Sequence, residues 1–180
     1  MGQIKPAPQG HLFVAIMSAN PELVSEALEK ITARFGAVMG AGALFIFSDF
    51  TDYYEAEFGK NLCKQFFVFE EPIDLQAAHR IKIWTNAIEA ESADHSTGQP
   101  RRRINLDPGY LEPSKLVLFS TKNYAHRIYA GDGIFAEVTL IFEHGRFTLL
   151  PWTYPDYASE MNLKFLSRMR SAIVRLNRAR

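Results

Sequence analysis

Side chains that can bind anions or transfer protons are concentrated between residues 101 and 156. The candidate acids and bases are His126, Glu137 and Asp107, because imidazole and carboxylate groups commonly transfer protons in enzymes. The candidate anion-binding residues are Lys115, Lys122, Arg127 and Arg103, since lysine binds phosphate as a point charge and arginine as a two-pronged donor. Their polar and aromatic neighbours complete the predicted pocket: Asn105, Tyr110, Thr121, Asp132, Trp152, Tyr154 and Asp156. These residue types indicate a ligand site, but they specify no reaction.

Asp107 has two open interpretations. The tripeptide Asp107-Pro108-Gly109 is typical of a turn, because proline presets one backbone torsion and glycine tolerates the next. Alternatively, Asp107 and Asn105 stand at a strand end and face a pocket, where a carboxylate can bind a metal ion, a ribose hydroxyl or a reacting proton. Asp132, between two glycines, is likewise typical of a turn.

A divalent metal ion is a further expectation for this region. Carboxylate oxygens are the ligands that calcium and magnesium prefer, and four acidic residues are available to supply them. They are Asp107, Asp132, Glu137 and Asp156. Their spacing matches no metal-binding motif, so the identity of the metal is left open.

The order of elements that would position these residues is typical of a ferredoxin-like fold. Residues 12–17 are apolar on both faces and predict a covered central strand. Asn20 and Pro21 begin a helix that Gly36 ends. Further strands are predicted at residues 44–47, 64–69 and 103–106, with a second helix after Asp74. We therefore predict a mixed α/β (α+β) fold, a ferredoxin-like βαββαβ sandwich, extended by a C-terminal hairpin and a terminal helix.

The extension contains the clearest pairing signal in the sequence. Residues 134–142 and 147–152 flank a two-residue turn and predict a hairpin in which Phe142 faces Phe147 and Leu140 faces Leu149. Strict alternation then places Glu137 on the face opposite Leu140. Residues 114–122 fit either a strand or a buried helix, and the final helix is predicted to begin at Asp156.

Length and composition set the class of protein. With 180 residues, 47% of them hydrophobic, we expect one domain over residues 11–180 after a disordered lead-in over residues 1–10. Lysine plus arginine and aspartate plus glutamate number 20 each, so net charge gives no general attraction to nucleic acid. Cys63 is the only cysteine, which excludes an intrachain disulfide and, with no signal peptide or long apolar run, favours a cytoplasmic protein without a membrane partner.

Several familiar motifs are absent. There is no phosphate-binding P-loop, no glycine-rich dinucleotide loop and no nucleophile elbow. Neither a His-Glu-x-x-His helix nor a ladder of zinc ligands occurs. These absences exclude the commonest sequence signatures of nucleotide hydrolases, dehydrogenases and metalloproteases.

Three stretches carry a resemblance to a known family. They read NLDPGYL at 105–111, HRIYAGDGIFAEVTL at 126–140 and LPWTYPDY at 150–157, with shorter matches FTDYY at 50–54 and EFG at 57–59. The chain resembles an uncharacterised prokaryotic family of about this length, known as a domain of unknown function, whose members are sometimes labelled GTP-binding. The resemblance implies membership of that family and supplies no reaction. No P-loop in this sequence matches the GTP-binding label.

Three functions are consistent with the sequence. The first is binding of, or phosphoester or nucleotide chemistry on, an anionic small molecule such as a nucleotide or another phosphorylated compound. The alternative is an RNA-binding module that stacks bases on sheet aromatics and contacts phosphates through residues 101–103 and the C-terminal arginines. A protein-interaction domain without a small ligand is the third, and no oligomeric state is predicted.

Overall fold

A single antiparallel sheet organises the part of the chain that the computed structural model describes, which is residues 2–4, 8–51, 58, 61–96, 98 and 100–179. Its strands are β1 (Gly10–Ser18), β2 (Val38–Ala41), β3 (Phe45–Ile46), β4 (Cys63–Ile73), β5 (Ile104–Glu112), β6 (Lys115–Ser120), β7 (Ile128–Gly131), β8 (Ile134–Glu143) and β9 (Arg146–Leu149). The helices are α1 (Pro21–Phe35), α2 (Arg80–Glu91), α3 (Pro155–Ala158) and α4 (Glu160–Ala179), and a 3-10 turn covers Phe47–Asp49. The mixed α+β class predicted from the sequence is confirmed.

The first half of the sheet has the ferredoxin-like order. The strands run β2-β4-β1-β5, and each neighbouring pair is antiparallel. The second strand of this motif is Val38–Ala41 and not residues 44–47, where only the two-residue β3 forms before the 3-10 turn begins. The predicted strand was therefore misplaced by several residues. Residues 44–47 are all apolar, whereas Val38–Ala41 contains Gly40, so the apolar pattern favoured the wrong segment.

Both faces of β1 are covered, as its continuous apolar run predicts. Leu12, Val14 and Ile16 pack against α1 and α2, whereas Phe13 and Ala15 pack against the side of the sheet that α4 covers. All nine residues of β1 are buried. The C-terminal helix thus closes the sheet face that the ferredoxin-like half alone would leave open.

Both ends of α1 follow their local signals, whereas α2 begins at Arg80, several residues later than the helix predicted after Asp74. The Asn20 side chain accepts a hydrogen bond from the amide of Glu22 at 2.9 Å, and Gly36 at the other end of α1 has φ 87°. Both predicted boundaries are confirmed. The predicted final helix is divided instead, since Ser159 takes an extended conformation between α3 and α4.

The second half of the sheet continues the order with β6, β8 and β7, while β9 also pairs with β8. The ambiguous segment is therefore a strand, β6. In the hairpin, Phe142 faces Phe147 and Leu140 faces Leu149, which confirms the predicted register. The ladder ends at Leu149, so the predicted pairs that involve residues 150–152 do not form, and the Leu149 side chain is 48% exposed.

A β-bulge changes the direction of Glu137. Leu116 lies opposite Leu140 and Leu118 lies opposite Glu137, which leaves Thr139 as the additional residue of β8. Because Leu116 and Leu118 project from one face of β6, Glu137 and Leu140 also share a face, contrary to the strict alternation that we predicted. The bulge turns the Glu137 carboxylate toward the sheet face that α4 covers.

The sheet forks between β5 and β6. Asp107, Pro108 and Gly109 lie inside β5, so the turn predicted there is wrong. The Leu106 amide and carbonyl bond to side chains of α2, which means that this side of β5 faces away from β1. Two residues after Leu106, the backbone of Pro108 faces the same side of β5 and has no N–H to donate. Pairing with β6 begins only at Gly109. The two strands therefore separate beyond Pro108.

Of the remaining sequence predictions, several fall wholly or partly outside the described residues. Residues 1 and 5–7 of the predicted lead-in are among these, and Gly10 already belongs to β1. Residues 52–54, 57 and 59 of the shorter family matches are also outside the described part of the chain.

Replacing Gly109 should test the closeness of the strands at the fork. A Cβ atom at this position would lie 2.0 Å from the Val117 carbonyl oxygen and 3.0 Å from the Leu118 Cα, both of them backbone atoms. We expect Gly109→Ala to lower the free energy of unfolding by about 2 kcal/mol or more. Gly42→Ala is the control, because its Cβ would meet its neighbours at 3.5 Å. Equal urea midpoints for the two variants would contradict the proposed close approach.

Candidate functional site

A cavity of about 610 Å³ occupies the fork between β5 and β6. Residues from both halves of the sheet and from the loop that precedes α3 line it. The charged lining residues are Lys64, Lys82, Glu89, Arg102, Asp107, Lys122, Arg127, Glu137 and Asp156. Its volume is in the range of pockets that bind small molecules and cofactors.

Lys64 is the buried cation on the side nearest β4. Its ammonium lies 2.7 Å from Asp156 Oδ2 and 4.9 Å from the ring centres of both Phe47 and Tyr157. The side chains of Lys64 and Asp156 are both buried, and burying either charge alone would be costly. This pair joins β4 to α3 and fixes the inner wall of the cavity.

Lys82 and Glu89 of α2 occupy the place that a neighbouring strand would take. Lys82 Nζ donates to the Leu106 carbonyl at 2.7 Å, and the Leu106 amide donates to Glu89 Oε1 at 2.7 Å. Burial raises the pKa of the Glu89 carboxyl, although the positive charge of Lys82 and the Leu106 amide act in the opposite direction. These two side chains satisfy the strand's free backbone groups and bring two charges beneath the cavity.

Asp107 is the most accessible carboxylate of this group, with 35% of its side chain exposed. Asn105 Nδ2 donates to its Oδ2 at 2.9 Å, and Arg102 donates to the side-chain Oδ1 of Asn105 at 3.1 Å. Arg102 also lies 3.7 Å from Glu89. The three side chains form a connected rim on the β5 side of the opening.

Arg127 organises the opposite wall. It donates to Glu137 at 2.7 Å, to the Ser120 hydroxyl at 2.8 Å, to the Lys122 carbonyl at 3.0 Å and to the Tyr154 hydroxyl at 3.2 Å. A guanidinium has five N–H donors, and four of them are used here. Arg127 therefore holds this wall together, whereas the sequence predicted that it would bind an anion directly.

The Glu137 carboxylate is surrounded by hydrogen-bonding side chains. Besides Arg127, His126 Nε2 lies 3.2 Å from Oε2, and the Thr139 hydroxyl donates to Oε1 at 3.1 Å. The His126 ring stacks on Trp152 with 5.0 Å between centres. His126 and Trp152, both predicted as residues of the site, lie near Glu137 and do not line the cavity.

Two tyrosines of the α3 region differ in their hydrogen bonding. The Tyr154 hydroxyl accepts from Arg127, whereas the Tyr157 hydroxyl is buried and has no partner within the described residues. Burial raises the pKa of Tyr157 well above its ordinary value, and the nearby carboxylates of Asp107, Asp156 and Glu137 raise it further. Tyr157 thus remains a neutral phenol beside the cavity.

Most of the predicted site residues meet at the fork. The cavity is lined by eight of them: Asp107, Glu137, Lys122, Arg127, Asn105, Thr121, Tyr154 and Asp156. Lys122 and Thr121 belong to the loop that follows β6, on the exposed side of the opening. These residues come from β5, β8, the β6–β7 loop and α3, so only the folded sheet brings them together.

Four other predicted residues lie elsewhere. Lys115 is at the far end of β6, where it pairs with Glu112 at 2.7 Å. Tyr110 projects from the other side of β5 and packs near Phe119. Arg103 faces a second, smaller hollow that Asn20 also lines, so its neighbour Arg102 takes the expected place in the cavity. The alternating directions of side chains along β5 and β6 explain these corrections.

Asp132 is the fourth predicted residue that lies elsewhere, and its position separates it from the other three carboxylates of the predicted metal site. It lies in the β7–β8 turn with φ 50°, which confirms the turn, and it contacts His79 at 3.1 Å and Arg80 at 3.0 Å. In the described part of the chain no three His, Cys, Asp or Glu side chains are arranged to hold a metal ion. Asp107, Glu137 and Asp156 are each close to a cationic side chain instead.

The sequence analysis missed the charges inside the fork. Lys64 shares the strand face of Phe66 and Val68, so its inward direction was available from alternation alone. Lys82 and Glu89 are seven residues apart on α2 and therefore lie on one helix face. Their burial was not predictable, because no local pattern shows that β5 leaves its backbone groups free on that side.

A pair of tyrosine-to-phenylalanine variants should distinguish the hydroxyl that accepts a hydrogen bond from the hydroxyl that has no partner within the described residues. Tyr157→Phe removes a buried hydroxyl without a described partner, so we expect the free energy of unfolding to stay unchanged or to rise by up to about 1 kcal/mol. Tyr154→Phe removes one of the acceptors of Arg127 and should lower the free energy of unfolding by about 0.5–1.5 kcal/mol. Urea denaturation measures both, and a larger loss for Tyr157→Phe than for Tyr154→Phe would refute the assignment.

The raised pKa of Glu89 predicts a specific dependence of stability on pH. Above the ordinary carboxyl pKa of 4.5, the unfolded chain releases the Glu89 proton before the folded chain does, so stability falls until the raised pKa is passed. Glu89→Gln cannot ionise. The free energy of unfolding of the wild type, minus that of this variant, should therefore decrease as pH rises from about 4 to 7.

Urea denaturation at a series of pH values provides the measurement for this prediction. Glu91→Gln is a matched control on the same helix, since Glu91 is exposed and pairs with Lys30 at 2.8 Å. A difference between wild type and Glu89→Gln that stays constant across the series would contradict the predicted coupling.

None of the helices in the described residues combines the length and the apolar character that crossing a membrane requires.

Comparison with known proteins gives one result. The family model for a domain of unknown function, DUF4416, matches residues 8–172. Searches of curated proteins and of solved structures found no significant match. The model covers nearly all of the sheet and most of α4. This confirms the resemblance to an uncharacterised family, and the chain belongs to the DUF4416 family of domains of unknown function.

Proposed function

We propose that the cavity at the fork binds a small anionic molecule, a nucleotide or another phosphorylated compound. The observation that carries this proposal is the state of Lys122. Of the cations that line the cavity, it is the one whose side chain has no ion pair or hydrogen bond within the described residues, and it is exposed. Lys64, Lys82, Arg102 and Arg127 are each within 4.0 Å of a carboxylate.

The charges at the opening also favour an anion. Asp156, Glu137 and Glu89 are buried and have cationic partners, so little of their charge faces the opening. Lys122 and the partly exposed Arg102 stand on opposite sides of the opening, with the hydroxyls of Ser120 and Thr121 beside Lys122. Ammonium, guanidinium and hydroxyl groups are common ligands of phosphate.

Aromatic side chains supply a surface for a base or another flat group. Phe50, Tyr124 and Tyr154 line the same cavity, and aromatic rings stack on bases of any sequence. A nucleotide would use both the cationic rim and these rings, whereas a sugar phosphate would use the rim alone. The proposal therefore includes both classes.

The RNA-binding alternative has less support from this fold. Base stacking on the sheet would need exposed aromatics on its central strands, but all nine residues of β1 are buried under helices on both sides. Of the tyrosines in the described part of the chain, Tyr124, Tyr129 and Tyr154 are well exposed, and they lie on loops or on the edge strand β7. This arrangement favours a pocket for a small ligand.

Removing Lys122 should weaken phosphate binding without affecting the fold. The probes are inorganic phosphate, pyrophosphate, ribose 5-phosphate, AMP, GMP and UMP, first screened by thermal shift, since a ligand of the native state raises the unfolding midpoint. For any probe that binds, Lys122→Ala should weaken the affinity about tenfold or more in calorimetry, as expected for the loss of a hydrogen bond to a charged group.

The matched control is Lys164→Ala on the exposed side of α4, where Lys164 contacts only Glu160 among the described residues. Its affinity for the same probe should equal that of the wild type, and binding to the wild type should weaken with added salt. The proposal fails if no phosphorylated probe binds, or if both lysine variants lose affinity equally.

A further inference from the structure

Asp107 stands between two ammonium groups without forming a hydrogen bond to either. Lys64 Nζ lies 4.0 Å from Oδ2, and Lys82 Nζ lies 3.8 Å from Oδ1. Both distances exceed the usual N–H···O range of about 2.7–3.2 Å. Asn105 fixes the orientation of the carboxylate by donating to Oδ2 at 2.9 Å. Each carboxylate oxygen therefore faces its own gap, with an ammonium on the far side.

These gaps have the dimensions of a bridging hydroxyl. An oxygen atom about 2.8 Å from both the ammonium nitrogen and the carboxylate oxygen would see them about 90° apart, roughly 20° narrower than the tetrahedral angle and within the range that a hydroxyl can adopt. A hydroxyl accepts from an ammonium and donates to a carboxylate at the same time. The geometry thus suits two hydroxyls, one for each oxygen of Asp107.

The groups around Asp107 retain the capacity for these bonds. Within the described residues, Lys64 donates to Asp156 and Lys82 donates to the Leu106 carbonyl. An ammonium has three N–H donors, so each lysine keeps two for other partners. Asp107 is 35% exposed and lines the cavity, which allows a ligand to reach it.

Charge decides which ligand group belongs in these gaps. A phosphate here would meet the carboxylates of Asp107 and Asp156, and a metal cation would meet the ammonium groups of Lys64 and Lys82. Either would be repelled by like charges at short distance. A neutral hydroxyl leaves the alternating ion pairs intact and satisfies a donor and an acceptor together.

We propose that Asp107, Lys64 and Lys82 recognise two neighbouring hydroxyls of the ligand, as in the 2,3-diol of ribose. This inference rests on the proposed binding of a phosphorylated compound and narrows its class to those with a free vicinal diol. The phosphate would bind beside Lys122 on one side of the opening, and the diol would bind at Asp107 on the β5 side, next to the buried ammonium groups of Lys64 and Lys82.

Matched probes that differ by one hydroxyl test this inference on the wild-type protein. The pairs are ribose 5-phosphate with 2-deoxyribose 5-phosphate and UMP with dUMP, measured by calorimetry. We expect the ribo member to bind about tenfold more tightly, which corresponds to the loss of one hydrogen bond to a charged group. Equal affinities within a pair would overturn the diol assignment and leave the proposed phosphate binding in place.

An Asp107 variant locates the effect. Asp107→Asn should weaken binding of the ribo member more than binding of the deoxy member, which retains only one of the two hydroxyls, so that the preference becomes smaller. Asp132→Asn is the matched control, because Asp132 lies outside the cavity in the β7–β8 turn. Loss of affinity for both members in equal proportion contradicts the inference, and the comparison in the wild type remains decisive if Asp107→Asn does not fold. If no phosphorylated probe binds, the proposed function and this inference both fail.

Discussion

The missing N–H of Pro108 is the constraint on which the site depends. A strand that continues past its neighbour must find other partners for its backbone groups, because buried unpaired amides and carbonyls are costly. Pro108 cannot donate to β6, and the ladder between β5 and β6 starts one residue later, at Gly109. The strands separate, and the Leu106 amide and carbonyl are satisfied by Glu89 and Lys82 of α2. Because these two side chains take the place of a neighbouring strand, a cavity forms there, and the charges of Glu89 and Lys82 lie in its floor.

Once charges are buried there, their pairing determines the rest of the site. Lys64 with Asp156 and Arg127 with Glu137 each combine a cation and a carboxylate that are almost fully removed from solvent. Such pairs are tolerated because their mutual attraction and further hydrogen bonds offset the loss of hydration. The accessible charges are those left over at the opening, namely Arg102, Asp107 and Lys122. The opening therefore presents two cationic side chains and one carboxylate.

Local signals in the sequence were sufficient for several of the elements and insufficient for the fork. The apolar run of β1, the Asn20 cap of α1 and the Phe142–Phe147 register were predictable, because each depends on residues close together in the chain. The direction of Glu137 was not, since it depends on a bulge against β6. Asp107-Pro108-Gly109 has the composition of a turn, and only the pairing of β5 with β1 shows that it forms a strand. Lys115 was chosen for its proximity in sequence to other cations, although the direction of β6 carries it to the opposite end.

The two parts of the fold contribute different components to the cavity. The ferredoxin-like part supplies Lys64, Lys82 and Asp107, the groups with unused hydrogen-bonding capacity. The C-terminal extension supplies Arg127 and a set of partners that nearly saturates it. Saturation makes that wall rigid, and a rigid wall on one side fixes the width of the opening that the other side presents. The extension therefore does more than cover the sheet. It forms one wall of the fork, and Lys64, Lys82 and Asp107 of the ferredoxin-like part line the space opposite that wall.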